Sequence, residues 1–162
     1  MKKILAIMIL SALLLALSSC AFNSQSDNYF GFSKQNFTVA EEQDTHGGWL
    51  GDGSYYLILD CSNNVDTALK NVEGWNSLPL SENLNLIMYG GEKDGVSYDG
   101  YNLSEEAHMP EIKNGYYCFK DRHSEANDAS DDSGLFSRAS FNFSLAVYDS
   151  DTNRLYYFEF DT

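Results

Sequence analysis

The run Tyr55-Tyr56-Leu57-Ile58-Leu59, closed by Asp60 and Cys61, has an apolar side chain at each of its first five positions. Side chains of a strand alternate between two faces, so a strand with this run is buried on both and belongs in the interior of a sheet. Near the C-terminus, Phe141, Phe143, Leu145 and Val147 alternate with Asn142, Ser144 and Ala146, and residues 155–160 return after a polar turn at 149–153. A period of two on both sides of a turn predicts an antiparallel hairpin. Further strands are expected at Phe37-Thr38-Val39, at 84–89 before Gly90-Gly91, and at Tyr116-Tyr117-Cys118-Phe119. Val65, Leu69 and Val72 follow the cap-forming Asn63-Asn64 and predict a short amphipathic helix ending between Gly74 and Pro79, with Trp75 packing it onto the sheet. Ser104-Glu105-Glu106-Ala107 predicts one more helical turn before Pro110. The expected fold class is α+β, mainly antiparallel sheet with one or two short helices on one face.

The N-terminus carries a different signal. Lys2 and Lys3 precede an apolar run over 4–17 that ends in Leu17-Ser18-Ser19-Cys20. A basic n-region, an apolar h-region and small residues before a cysteine make a bacterial lipoprotein signal peptide with its lipobox. The run is shorter than the roughly 20 residues that span a bilayer. The expected organisation is a signal peptide at 1–19, a lipidated Cys20 and flexible polar tether at 20–35, and a single globular α+β domain at 36–162. Two acyl chains, at about 0.8 kcal/mol per buried methylene, hold such a protein stably on a membrane surface. Its expected location is the extracytoplasmic face of the cell membrane.

Removing 1–19 takes away two lysines and no acid, leaving 8 Lys and Arg against 24 Asp and Glu, a formal charge of −16. Such a field keeps an exported domain soluble and repels phosphate backbones and anionic polymers, which argues against nucleic acid as a partner. A cationic partner suits it.

Six blocks carry a resemblance. Asp44-Thr45-His46-Gly47-Gly48, Gly51-Asp52-Gly53, Leu78-Pro79-Leu80-Ser81-Glu82-Asn83-Leu84, Asn114-Gly115-Tyr116-Tyr117, Asp121-Arg122-His123-Ser124 and Tyr148-Asp149-Ser150-Asp151-Thr152-Asn153, in this order, resemble an uncharacterised family of small secreted or lipid-anchored proteins from Gram-positive gut bacteria. The resemblance covers most of the chain after the tether. It implies a Gram-positive host and brings no activity with it.

With Cys20 capped by lipid, Cys61 and Cys118 are an even pair in an exported domain, either one disulfide or two separate buried thiols. If their strands are antiparallel neighbours, the turn from His46 to Gly53 lies beside Asp121 and His123. His46, Asp52, Asp121 and His123, with Asp44, are then the candidate ligand or metal site, and imidazole with carboxylate suits Zn²⁺. The alternative for the glycine-histidine turn is hairpin chemistry, in which the aspartates bond local backbone. His108 reads as a helix-end residue. Arg122 offers a fork for a carboxylate or sugar, or an internal salt bridge. Asp128, Asp131 and Asp132 could collect Ca²⁺ but lack the ordered ligand intervals of a calcium loop; in a calcium loop beginning at Asp149, Arg154 stands at the expected glycine and Phe160 at the expected glutamate. No nucleophile elbow, phosphate loop or dinucleotide fingerprint is present.

The sequence therefore leans away from an enzyme, with no cofactor required. It points to a lipid-anchored cell-surface module that binds a protein or glycan through exposed aromatics and the His46/His123 end of the sheet. Its competitors are a metal-dependent hydrolase acting on wall or dietary polymer and an immunity-type lipoprotein. In the native host, wild type should incorporate labelled palmitate and Cys20→Ala should not; equal labelling of both removes the anchor.

Overall fold

The computed structural model describes residues 28–47 and 51–162. The signal peptide, Cys20 and the first part of the tether lie outside the described residues, as do Gly48, Trp49 and Leu50 of the glycine-dense turn. The strands are β1 (Thr38–Asp44), β2 (Gly53–Asp60), β3 (Asn76–Ser77), β4 (Glu92–Lys93), β5 (Val96–Ser97), β6 (Gly115–Asp121), β7 (Asn142–Asp149) and β8 (Arg154–Asp161). The helices are α1 (Val65–Asn71), α2 (Glu82–Tyr89) and α3 (Leu103–Glu106). The architecture is α+β and mainly antiparallel, as the sequence implies. One sheet runs β1-β2-β8-β7-β6-β3, and β4 and β5 form a separate hairpin.

The alternating C-terminal residues build the middle of the sheet. Tyr148 pairs with Leu155 and Asn142 with Asp161. The Asp149 carboxylate closes the turn, accepting the Asp151 N–H at 2.9 Å and the Thr152 hydroxyl at 2.6 Å. Such local bonds are what Asp and Thr offer a turn. β2 lies along the other edge of β8 in full register, from Gly53 opposite Asp161 to Asp60 opposite Arg154. β1 is the outer strand. All seven of its residues are exposed, and a register shift between Val39 and Glu41 bends it.

Both faces of the sheet are covered. On one, Tyr56, Ile58, Phe143, Leu145, Val147, Tyr156 and Phe158 pack with Leu84, Ile87 and Met88 of α2 and Leu103 of α3. On the other, Tyr55, Leu57, Leu59, Ala146, Tyr148, Leu155 and Tyr157 pack with Ala68 of α1, Val72, Tyr29, Phe32 and Phe37. The helices thus divide between two faces, where the sequence reading put them on one.

Two other expectations are corrected. Residues 84–89 form most of α2 instead of a strand. The Ser81 hydroxyl accepts the Leu84 N–H at 3.2 Å, an N-cap, and Leu84, Leu86, Ile87 and Met88 are all buried. A short apolar run has no readable period, so the cap decides between helix and strand. The domain also begins earlier than residue 36. Tyr29 and Phe32 are 3% and 0% exposed, and Phe32 packs against Phe37 and Trp75 with centroids 5.2 and 5.7 Å apart. The hydroxyls of Tyr29 and Tyr55 lie 3.0 Å apart. Glu42 accepts the Tyr55 hydroxyl at 2.9 Å and pairs with Lys34. Burial works against its charge, yet the bonds from Lys34 and Tyr55 win and hold its pKa below the usual carboxylate value. The segment from Asn28 is thus part of the second core. No helix among the described residues is long and apolar enough to cross a membrane.

Phe32→Ala should lower the unfolding free energy by about 3–5 kcal/mol, the usual loss for a core aromatic. Denaturant titration of the full chain measures it; a loss below about 1 kcal/mol would return 28–35 to the tether.

Candidate functional site

The strands carrying the two cysteines are not neighbours. β8 and β7 lie between β2 and β6, three steps of about 4.8 Å, far beyond the roughly 7 Å Cα separation a disulfide tolerates. Cys61 and Cys118 are free. Burial pushes the Cys61 thiol up to about 12 and raises Cys118 as well, so both serve as small apolar side chains with little thiolate character. The turn before β2 and the end of β6 nevertheless share one end of the sheet. Each antiparallel step reverses direction, so the start of β2, the end of β8, the start of β7 and the end of β6 share one end of the sheet.

At that end the candidate residues separate into two groups. Gly53 has φ +152, and a Cβ there would come within 2.6 Å of the His46 Cα, so glycine lets the chain after β1 fold tightly over the start of β2. The His46 ring is then fixed between two carboxylates, Nδ1 at 2.7 Å from Asp44 Oδ1 and Nε2 at 3.0 Å from Asp161 Oδ2. Carboxylates only accept, so an imidazole carrying both protons satisfies both contacts. Asp161 in turn pairs with Arg122 Nη2 at 3.0 Å, and Arg122 also donates to the Phe143 carbonyl at 3.0 Å. The internal salt bridge is the reading of Arg122 that the structure makes.

Asp121 and His123 form the other group. Asp121 pairs with Arg138 at 2.6 Å, with the two side chains 3% and 8% exposed, and its second oxygen accepts the His123 N–H at 3.0 Å. His123 Nδ1 accepts the Glu125 N–H at 3.1 Å, which puts the ring proton on Nε2, donated to Ser140 Oγ at 3.1 Å. Asp52 joins neither group; its backbone carbonyl accepts the Gly47 N–H at 3.4 Å. Sheet alternation sets Asp121 with Phe119 on the α2 face and Asp161 with Tyr157 on the α1 face. His46, Asp52, Asp121 and His123 therefore share an end of the sheet without converging. Among the described residues, no group of three or more His, Cys, Asp and Glu is arranged to hold a metal ion. Asp128 and Asp131 accept local N–H and hydroxyl bonds from Ser130 and Ser133, the bonding of a solvated loop.

His108 sits at the end of α3, with φ +49 where glycine is usual, and its N–H bonds Glu105 while the next N–H bonds Ser104. Its ring lies against Tyr56 at 4.7 Å and pairs with Glu41 at 2.7 Å. Glu41 also accepts the Tyr56 hydroxyl, and burial with that bond pushes the phenol up to about 12. The helix-end role is correct, with an anchor to β1 added.

An aromatic cluster lies at the same sheet end on the α2 face. The half-exposed rings of Tyr98, Tyr101, Phe136, Phe141 and Phe160 form a chain of contacts: Tyr98 to Phe136 at 4.7 Å, Phe136 to Tyr101 at 5.5 Å, Tyr101 to Phe141 at 5.8 Å and Phe141 to Phe160 at 5.9 Å. Tyr98 follows the β4–β5 hairpin, whose Asp94-Gly95 turn has φ of +52 and +76 at its centre. Gly90 makes room for it, since a Cβ there would meet the Tyr101 carbonyl at 3.1 Å.

Compared with protein-family models, curated proteins and solved structures, the chain matches none.

If Asp121 is a structural partner of Arg138, Arg138→Met should cost about 3–5 kcal/mol by leaving a buried charge unpaired, and adding Asp121→Asn should recover most of that loss. Equilibrium unfolding reads both; a double variant no better than the single would assign Asp121 another role.

Proposed function

We propose that this chain is a non-enzymatic binding module, exported and lipid-anchored through Cys20, which engages a basic protein partner at the aromatic end of its sheet. The observation that carries this reading is the chain of half-exposed rings from Tyr98 to Phe160. Aromatic residues are enriched at the centres of protein interfaces, where they bury large areas with little loss of conformational freedom. Exposed acids neighbour these rings in the chain: Glu92, Asp94 and Asp99 around Tyr98, and Asp128 and Asp131 ahead of Phe136. An acidic surround with a formal charge of −16 behind it steers a cationic partner and repels an anionic one. The resemblance to small secreted or lipid-anchored proteins of Gram-positive gut bacteria agrees with export and brings no activity with it.

The full chain purified in mild detergent should retain a basic protein from an extract of its host's envelope, and raised salt should release it. Tyr98→Ala with Tyr101→Ala should weaken retention about 30-fold, as expected for rings at the centre of an interface, measured well below an unfolding temperature that falls because Tyr101 packs against the core. A retained protein that ignores both the double variant and the salt would place the interface elsewhere and overturn the proposal.

A further inference from the structure

The α1 face of the sheet is not covered to its end. α1 and the segment from Tyr29 to Phe37 lie over β2 and the near half of β8, while Lys120, Arg122, Ser144 and Glu159 carry that face onward as a polar floor. Between this floor and the turn at Phe30 and Gly31 is a cleft of about 480 Å³, within the size range of small-molecule sites.

The wall of the cleft is held in a costly conformation. Tyr29 and Phe32 exchange backbone hydrogen bonds at 2.8 and 3.1 Å across a two-residue turn, in which Phe30 has φ +53 and Gly31 φ +95. Glycine and asparagine take the first central position of such a turn readily, whereas phenylalanine does so against steric opposition. Strain of this kind marks a side chain worth keeping. The ring is braced by Trp75 at 6.1 Å, nearly edge-on, and by Tyr157 at 6.0 Å.

The floor offers donors at one side and acceptors at the other. Lys120 is exposed, and its ammonium has no ion pair or hydrogen bond with the described residues. Arg122 is oriented by Asp161 and the Phe143 carbonyl, and its buried Nε has no acceptor among the described residues. Among its partners, the Glu159 carboxylate accepts the Tyr157 hydroxyl and, at 3.5 Å, the Ser144 hydroxyl. An aromatic wall, cations at one side and a hydroxyl with a carboxylate at the other complement a sugar that bears a carboxylate of its own.

We infer that this cleft binds a single acidic sugar residue. Its carboxylate pairs with Lys120 and lies beside Arg122, its hydroxyls bond Ser144 and Glu159, and its apolar face rests on Phe30. The acidity of the chain as a whole repels a polyanion, which favours a monosaccharide or the acidic end of a short oligosaccharide. This site is separate from the aromatic end used by the proposed protein partner, and neither needs the other.

Sodium glucuronate, glucose, and glucose with sodium acetate are titrated into the full chain in mild detergent, with calorimetry or ligand-observed NMR as readout. Glucuronate should bind at least about tenfold more tightly than glucose, with or without acetate. Lys120→Gln should weaken glucuronate about tenfold, and so should Phe30→Asn, which suits the turn and removes the wall. An unfolding temperature for Phe30→Asn at or above wild type shows that its loss of binding is local. Absence of glucuronate binding up to about 50 mM, equal binding of glucose, or wild-type affinity in Lys120→Gln would each overturn the inference.

Discussion

The fold depends on burying both faces of β8. Its odd positions, Leu155 and Tyr157, enter one core and its even positions, Tyr156 and Phe158, enter the other, and β2 and β7 bond its two edges. A strand enclosed on four sides has no freedom of register, because a slip of one residue would exchange the two cores. The chain therefore needs cover on both faces. α2 and α3 supply one layer, and α1 with the segment from Tyr29 to Phe37 supplies the other. The latter layer stops short of the sheet end, which is why polar side chains on β6, β7 and β8 form an open floor there.

Local chemistry made much of this legible in the sequence. The C-terminal hairpin is written in alternation and a turn of Asp, Ser, Thr and Asn, and the all-apolar strand β2 is written in its unbroken run. The failures have physical causes. α2 was hidden because buried residues at 84 and 86–88 fit either period, and only the Ser81 cap separates helix from strand. Tyr29 and Phe32 were hidden by polar neighbours, since aromatics scattered through a stretch rich in Asn, Ser and Gln give no periodic signal. What they cover is visible only once the α1 face is assembled.

The candidate site was half legible. That His46, Asp121 and His123 share one end of the sheet follows from counting antiparallel reversals, and it survives the separation of Cys61 from Cys118 by two intervening strands. That they divide between opposite faces follows from strand parity, which a sequence gives only after the register is known. Asp161, the carboxylate shared by His46 and Arg122, sits next to the chain end and carries no motif. The alternation Tyr157, Glu159, Asp161 is the one signal that sets it on the face of Arg122.

The outer strand β1 has a consequence for molecules held close together. Among the described residues no strand pairs with its outer edge, and all seven of its residues are exposed. Yet Glu41, Glu42 and Asp44 lie along it, and the irregularity at Ala40 breaks the straight line of donors and acceptors that a second strand would need. Two copies approaching edge to edge would set carboxylate against carboxylate across a bent seam. Crowding thus meets a built-in refusal to polymerise, and the sheet stays finite at its most vulnerable border.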